Sequence, residues 1–212
     1  MARSNVSVAN MALRKLGAAR IVSLTDNNVN ARTINDCFDE VVKQELRDHA
    51  WNFATQRVIL APSSTTPVVN NDMAYTYAFP LPPDALRVLK PSRYQLDWTI
   101  ESVDSVSCIL TNDGNSISLR YVAYVADPNR WDALFAEVIA CRLAVECCEQ
   151  INQSNTKQEK CERQLNLAWA RARRTNAFER IRDVEPEDSW VEVRRAGVQG
   201  DRNWLVFNGS GN

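Results

Sequence analysis

Read residue by residue, the chain calls for an α+β protein: a mainly α-helical bundle of about four helices, an inserted small antiparallel β domain, and an extended C-terminal tail. Three observations lead there. Apolar residues recur with a helical period in two stretches before residue 54 and two after residue 127, and with a period of two in between. Glycine is scarce, with six in 212 residues, and four of them (Gly197, Gly200, Gly209 and Gly211) crowd the C-terminal end. The composition, 45% hydrophobic and 24% charged, is that of an ordinary globular protein rather than a disordered or fibrous one. The expected divisions are residues 1–54 for the first half of the bundle, 55–126 for the β domain, 127–183 for the second half of the bundle, and 184–212 for the tail.

Ser4 or Asn5 can cap a first helix that runs to Leu16; Val8, Met11, Ala12 and Leu16 share one face, and Gly17 ends it. Thr25-Asp26 signals a second start. From about Val29 to Phe53, Ala31, Ile34, Phe38, Val41, Leu46, Ala50 and Phe53 repeat at helical spacing, with Asp39, Glu40, Lys43, Glu45 and Arg47 filling much of the other face. That helix would be roughly 35 Å long at about 1.5 Å per residue. The period then shortens. Strands are expected at Thr55–Leu60, Tyr75–Phe79, Arg87–Leu89, Trp98–Ser102, Val106–Thr111 and Ile117–Val125, and residues 62–72 form a polar loop. Pro80, Pro82 and Pro83 limit pairing after the second strand. Asn112-Asp113-Gly114-Asn115 predicts a hairpin between the last two strands.

Asp127 before Pro128 starts a third helix. Between Trp131 and Cys148 only Asp132, Glu137, Arg142 and Glu146 interrupt apolar sequence, and a helix apolar on most sides is buried on most sides. This is the expected central helix, too often interrupted by charge for a membrane span; no other apolar run approaches the roughly 18 residues a span needs. After Asn152–Asn155 a fourth helix covers about Thr156 to Arg182, with Cys161, Leu165, Ala168, Ala172, Thr175 and Phe178 on one face.

The chemistry-bearing residues are few. The N-terminal residues carry Arg3, Arg14 and Lys15 without an apolar h-region, so no signal peptide is expected. Six cysteines (Cys37, Cys108, Cys141, Cys147, Cys148 and Cys161) fit buried, reduced thiols made in a reducing cytoplasm; a metal site from Cys141, Cys148 and Cys161 is the sharper alternative. His49 is the one histidine, expected within the second helix at a surface or interface, which leaves little room for Ser-His or Cys-His catalysis. No phosphate-binding glycine loop and no nucleophile elbow occurs, and no cofactor is implied. Glu137 and Glu146, nine positions apart on one helix, lie roughly 13 Å apart at about 1.5 Å per residue, too far for paired-carboxylate glycoside hydrolysis. Asp127 with Asp132 is the other acidic pair.

Two features invite partners. The fourth helix is rich in Lys and Arg, and Arg171, Arg173 and Arg174 could contact DNA or another acidic surface; the bland alternative is a solvated face with pairs such as Glu159–Arg163. With a net charge of −1, no global field draws the chain to nucleic acid. In the tail, Trp190, Val191 and Val193 precede Arg194 and Arg195, and Trp204, Leu205, Val206 and Phe207 form an apolar run that cannot make its own core. These residues read as a docking strand or plug; folding back on the β domain is the alternative.

Three stretches carry a family resemblance: Asp48-His49-Ala50-Trp51-Asn52-Phe53-Ala54 leading into a strand; Phe79-Pro80-Leu81-Pro82-Pro83-Asp84-Ala85-Leu86-Arg87-Val88; and Arg120-Tyr121-Val122-Ala123-Tyr124-Val125-Ala126-Asp127-Pro128 followed by Trp131, Leu134-Phe135 and the apolar helix to Glu149. In this order and spacing, over about residues 5–182, the sequence resembles the head-to-tail adaptor (tail tubular protein A-like) family of short-tailed bacteriophages. The resemblance implies a structural virion protein at the head-tail junction, made in the host cytoplasm. It implies a ring of about twelve copies between the portal protein and the tail nozzle protein, with double-stranded DNA passing through the lumen during packaging retention and ejection. It implies no catalytic residue. The portal-docking element would be the tail. A tail-associated glycan or peptidoglycan hydrolase and a DNA-binding module using the fourth helix are the two alternatives.

Overall fold

Side-chain caps set the starts of three of the helices in the computed structural model, which describes residues 2–63, 75–91 and 97–179. Helix α1 (Asn5–Leu16) starts at Ser4, whose hydroxyl accepts from Ser7 N while Ser7 reciprocates. It stops at Gly17, held at φ 75°, a conformation open to glycine at little cost. Helix α2 (Val29–Asp48) is capped by Asn28, which accepts from Ala31 N, and not by Thr25-Asp26. The Asp26 carboxylate instead accepts from Val22 N and Ser23 N, closing the turn before the helix.

The α2 helix ends about five residues earlier than the periodicity predicts. His49 is extended, at φ −130° and ψ 145°, and residues 52–54 form one 3-10 turn. The cause is Trp51. It is 1% exposed, and its indole Nε1 donates to the Glu45 carbonyl at 3.0 Å, satisfying one of the carbonyls a helix end leaves open. Continuing the helix would carry the indole away from that position.

Six strands follow: β1 (Thr55–Leu60), β2 (Tyr77–Pro80), β3 (Ala85–Pro91), β4 (Trp98–Val103), β5 (Val106–Thr111) and β6 (Ile117–Ala123). All pairings among them are antiparallel. They form two three-stranded sheets, ordered β1-β6-β3 and β2-β5-β4. The expected β5–β6 hairpin is therefore incorrect: residues 112–116 cross from one sheet to the other. Asn112 Oδ1 accepts from Thr76 N at 3.0 Å, which ties this crossing to the start of β2. Gly114 is needed for space, since a Cβ there would lie 2.6 Å from the Tyr77 ring. The hairpin joins β4 to β5 through Asp104 and Ser105, at φ 49° and 66°, the paired positive angles of a tight type I′ turn.

Burial sorts the layers. Leu119, Tyr121 and Ala123 of β6 pack with Phe79 and Ile109 of the second sheet, while Val122 joins the helical core. The β1-β6-β3 sheet thus lies between the helices and the second sheet. The Asp127-Pro128 signal opens only a 3-10 turn at Pro128–Arg130; helix α3 (Ala133–Glu146) is capped by Asp132, which accepts from Leu134 N and Phe135 N. Phe135, Ala136, Val138, Ile139, Ala140, Cys141, Leu143 and Ala144 of α3 are all buried, and α3 packs against α1, α2 and α5. A short α4 (Cys148–Asn152) ends at Gln153 in the left-handed region, and α5 (Asn155–Phe178) follows. The α5 face differs from expectation at its end. Thr175 and Phe178 are exposed, and Asn176 is the buried residue.

Candidate functional site

The densest polar chemistry sits where the end of α2 meets the second half of α5. Asn176 is its hinge. Its Oδ1 accepts from Asn52 N at 2.8 Å, its carbonyl accepts from Asn52 Nδ2 at 2.9 Å, and its Nδ2 donates to the Ala50 carbonyl at 3.2 Å. That Nδ2 is also 3.1 Å from His49 Nε2. His49 is therefore an interface residue, at the helix cap rather than within the helix. Its ring lies edge-on to Trp51 at 4.9 Å and to Trp169 at 6.2 Å. Trp51 in turn packs on Phe135 at 5.0 Å and Trp169 at 5.7 Å.

Beneath this aromatic cluster lies Glu45. Sequence periodicity placed it on the polar face of α2, but it is 6% exposed, and its Oε2 has no hydrogen-bond partner. Burial is the main reason its carboxyl is pushed up to about 7, with the Asp48 charge adding to it. Arg142, Arg173 and a hydrogen bond from Trp169 pull the other way without overcoming burial. The signal was present: Phe38, Val41, Val42 and Glu45 are spaced three, one and three apart, which is the inward stripe of a helix.

The adjoining cavity, about 190 Å³, is lined by Trp51, Asn52, Trp131, Asp132, Thr175 and Asn176 among others, and Glu45 does not reach it. A groove of about 540 Å³ lies elsewhere, around Arg47, Leu81, Pro82, Pro83, Ile100 and Val106. Among the described residues no acidic side chain lines it.

The other carboxylates considered from sequence are each engaged in the scaffold. Glu137 pairs with Lys15 at 2.5 Å, Glu146 pairs with Arg142 at 2.9 Å, Asp132 caps α3, and Asp127 accepts from Asn129 N. Among the described residues, Cys141, Cys148 and Cys161 included, no group of three or more His, Cys, Asp or Glu side chains is placed to hold a metal ion. All six cysteines are free thiols, and no described helix is long and apolar enough to cross a membrane.

The three arginines chosen from sequence have separate surroundings. Arg173 lies over the Trp169 ring at 3.9 Å and pairs with Asp48 at 3.1 Å, so it ties α5 to the end of α2. Arg174 lies over the exposed Phe178 ring at 5.7 Å. Arg171 is exposed at the rim of a 230 Å³ hollow with Lys15, Glu137 and Leu167. Trp190, Val191, Val193, Arg194, Arg195, Trp204, Leu205, Val206 and Phe207, the expected docking tail, lie outside the described residues.

The three stretches that carry the family resemblance converge. β1, which follows Ala54, and β3, which begins at Ala85, flank β6 on either side. Arg87 donates to the Asp48 carbonyl at 3.0 Å, Arg47 donates to the Leu86 carbonyl, and Tyr124 N donates to the Asp84 carbonyl at 2.7 Å. Compared with known proteins, the chain matches no family model and no curated sequence.

Proposed function

We propose that this chain is a structural virion subunit, an adaptor that assembles side by side into a ring of about twelve copies between the portal and the tail nozzle of a short-tailed phage. Its lumen passes DNA without reading sequence. In this reading α1, α2, α3 and α5 are the helical bundle, the two sheets are its inserted domain, and the tail docks on the portal.

The observation that carries the reading is that large apolar side chains stand exposed at two separate places on the chain. Leu167 and Phe178 on α5 are 66% and 78% exposed, and Val22 and Val29, around the start of α2, are 89% and 64% exposed. A two-fold dimer buries one self-complementary patch; a closed ring needs two different ones, one on each flank of the subunit. The convergence of the three resemblance stretches at one joint supports the family placement, since it gives those residues a shared structural reason to occur together.

Charging the exposed α5 side chains tests it. Leu167→Glu with Phe178→Glu alters two exposed side chains and should leave the circular dichroism and the melting temperature of the chain unchanged. Self-association should fall at least tenfold, the loss of roughly 1.4 kcal/mol or more of contact energy. Assembly at wild-type strength would overturn the ring interface.

One observation favours a second reading, a DNA-binding module. Between Arg163 and Phe178, α5 carries Arg171, Arg173 and Arg174 and no acidic residue. A conduit must not grip its cargo, so a DNA isotherm with a shallow salt dependence is expected. A slope equivalent to several released counterions would favour the module instead.

A further inference from the structure

Cys37 projects from α2 toward the junction of α3 and α4, where Cys147 sits. Their sulfurs are 3.5 Å apart. We propose that Cys37 and Cys147 are an oxidation site: a thiol pair that a low-molecular-weight disulfide of the glutathione class converts into an internal disulfide, tying α2 to the α3–α4 junction. This inference does not depend on the adaptor reading.

The geometry supports it in three ways. A disulfide bond is about 2.05 Å long, so closure asks the sulfurs to approach by roughly 1.5 Å, within reach of small side-chain rotations and a slight helix shift. Neither sulfur is held elsewhere by a strong partner: Cys37 Sγ lies 3.4 Å and 3.5 Å from the Thr33 and Ile34 carbonyls, and Cys147 Sγ lies 3.9 Å from the Thr33 carbonyl. The two thiols are also unequal in access. Cys37 is half-buried and can meet a small reagent, whereas Cys147 is 1% exposed.

The unequal access assigns the steps. The hydrogen bond from the Cys147 thiol holds Cys37 below its usual range and, with burial, pushes Cys147 up; Glu146 and Asp36 oppose ionisation of Cys37. The Cys37 thiolate attacks one sulfur of the small disulfide and expels the other as a thiolate, leaving a mixed disulfide on Cys37. Cys147 then loses its proton to solvent or to the departing thiolate and attacks Cys37 Sγ, releasing the second small thiol. Two protein thiols are oxidised by two electrons, and one small disulfide is reduced to two thiols. The loop so closed spans 110 positions and encloses the whole β insertion.

Other pairings lack this arrangement. Cys148 Sγ lies 3.9 Å from the Ser154 carbonyl, and Cys141 Sγ lies 3.9 Å from Glu137 Oε1.

The test incubates the folded full-length chain with oxidised glutathione, blocks free thiols, and counts them after denaturation. The count should fall from six to four, and peptide mapping should join the Cys37 and Cys147 peptides. Cys108→Ser should still lose two thiols. Cys147→Ser should stop at glutathione carried on Cys37, and Cys37→Ser should keep all five of its thiols. The wild-type result stands by itself if a serine variant misfolds. Survival of all six thiols, a bridge between other cysteines, or glutathione left on wild-type Cys37 with Cys147 free would overturn the proposal.

Discussion

Trp51→Ala should cost the folded chain about 3–5 kcal/mol, the range for removing a fully buried large aromatic. Trp51 is 1% exposed and packs against Phe135, Phe53, Trp169 and His49, so its loss opens a cavity between α2, α3 and α5 that few neighbours can collapse to fill. It also leaves the Glu45 carbonyl without its indole donor at the end of α2. For a chain of this size the melting temperature should drop by roughly 10 °C. Trp51→Phe should recover part of the packing without the hydrogen bond and fall between the two. A thermal or urea unfolding series measures this, and a loss under about 1 kcal/mol for the alanine variant would show that the aromatic cluster is not what joins the helices.

Glu45 gives the second large effect, through pH. In the unfolded chain its carboxyl ionises near the usual value of 4.5, whereas in the folded chain burial delays ionisation to about 7. Between those values the folded state holds a proton that the unfolded state has released, so stability falls as pH rises from about 4.5 to about 7 and is level above that. At about 1.4 kcal/mol per unit, the group costs the native state on the order of 3 kcal/mol at pH 8 relative to pH 4. Glu45→Gln cannot ionise and should remove this slope. Its unfolding midpoint should match or exceed wild type at pH 8 and fall slightly below it at pH 5. A variant with the same slope as wild type would show that Glu45 is not the titrating group.

Local signals carried much of this fold. Ser4 and Gly17 bracket α1 because a capping hydroxyl and a left-handed glycine act within one turn, and the six strands are legible because pleated backbone alternates side chains between faces. Signals that depend on distant partners were not legible. Asn28 and Asp26 are both competent caps; which one serves depends on the turn that Asp26 closes with Val22 and Ser23. Asp113-Gly114 has hairpin composition, yet strand order is decided by which faces bury against the helices and which against the second sheet. The Asp104-Ser105 turn has no glycine to announce its positive angles.

The candidate site was half visible. Trp51 and His49 stood out in sequence, but their partner Asn176 lies more than a hundred residues away on α5, and a polar residue in a helix ordinarily marks the solvent side. Glu45 was misassigned for the same reason: its charge outweighed its spacing. Arg173 also packs against Trp169 and pairs with Asp48, partners on α5 itself and at the end of α2 that its neighbours in sequence do not announce. Arg171, Arg173 and Arg174 are all exposed on α5.

Native mass measurement of the full chain, alone and with purified portal rings, decides whether this protein works by assembling with copies of itself. A closed species of about twelve copies, formed alone or on the portal and lost in the Leu167→Glu, Phe178→Glu variant, is the expected result. A chain that stays monomeric at high concentration and ignores the portal would contradict it.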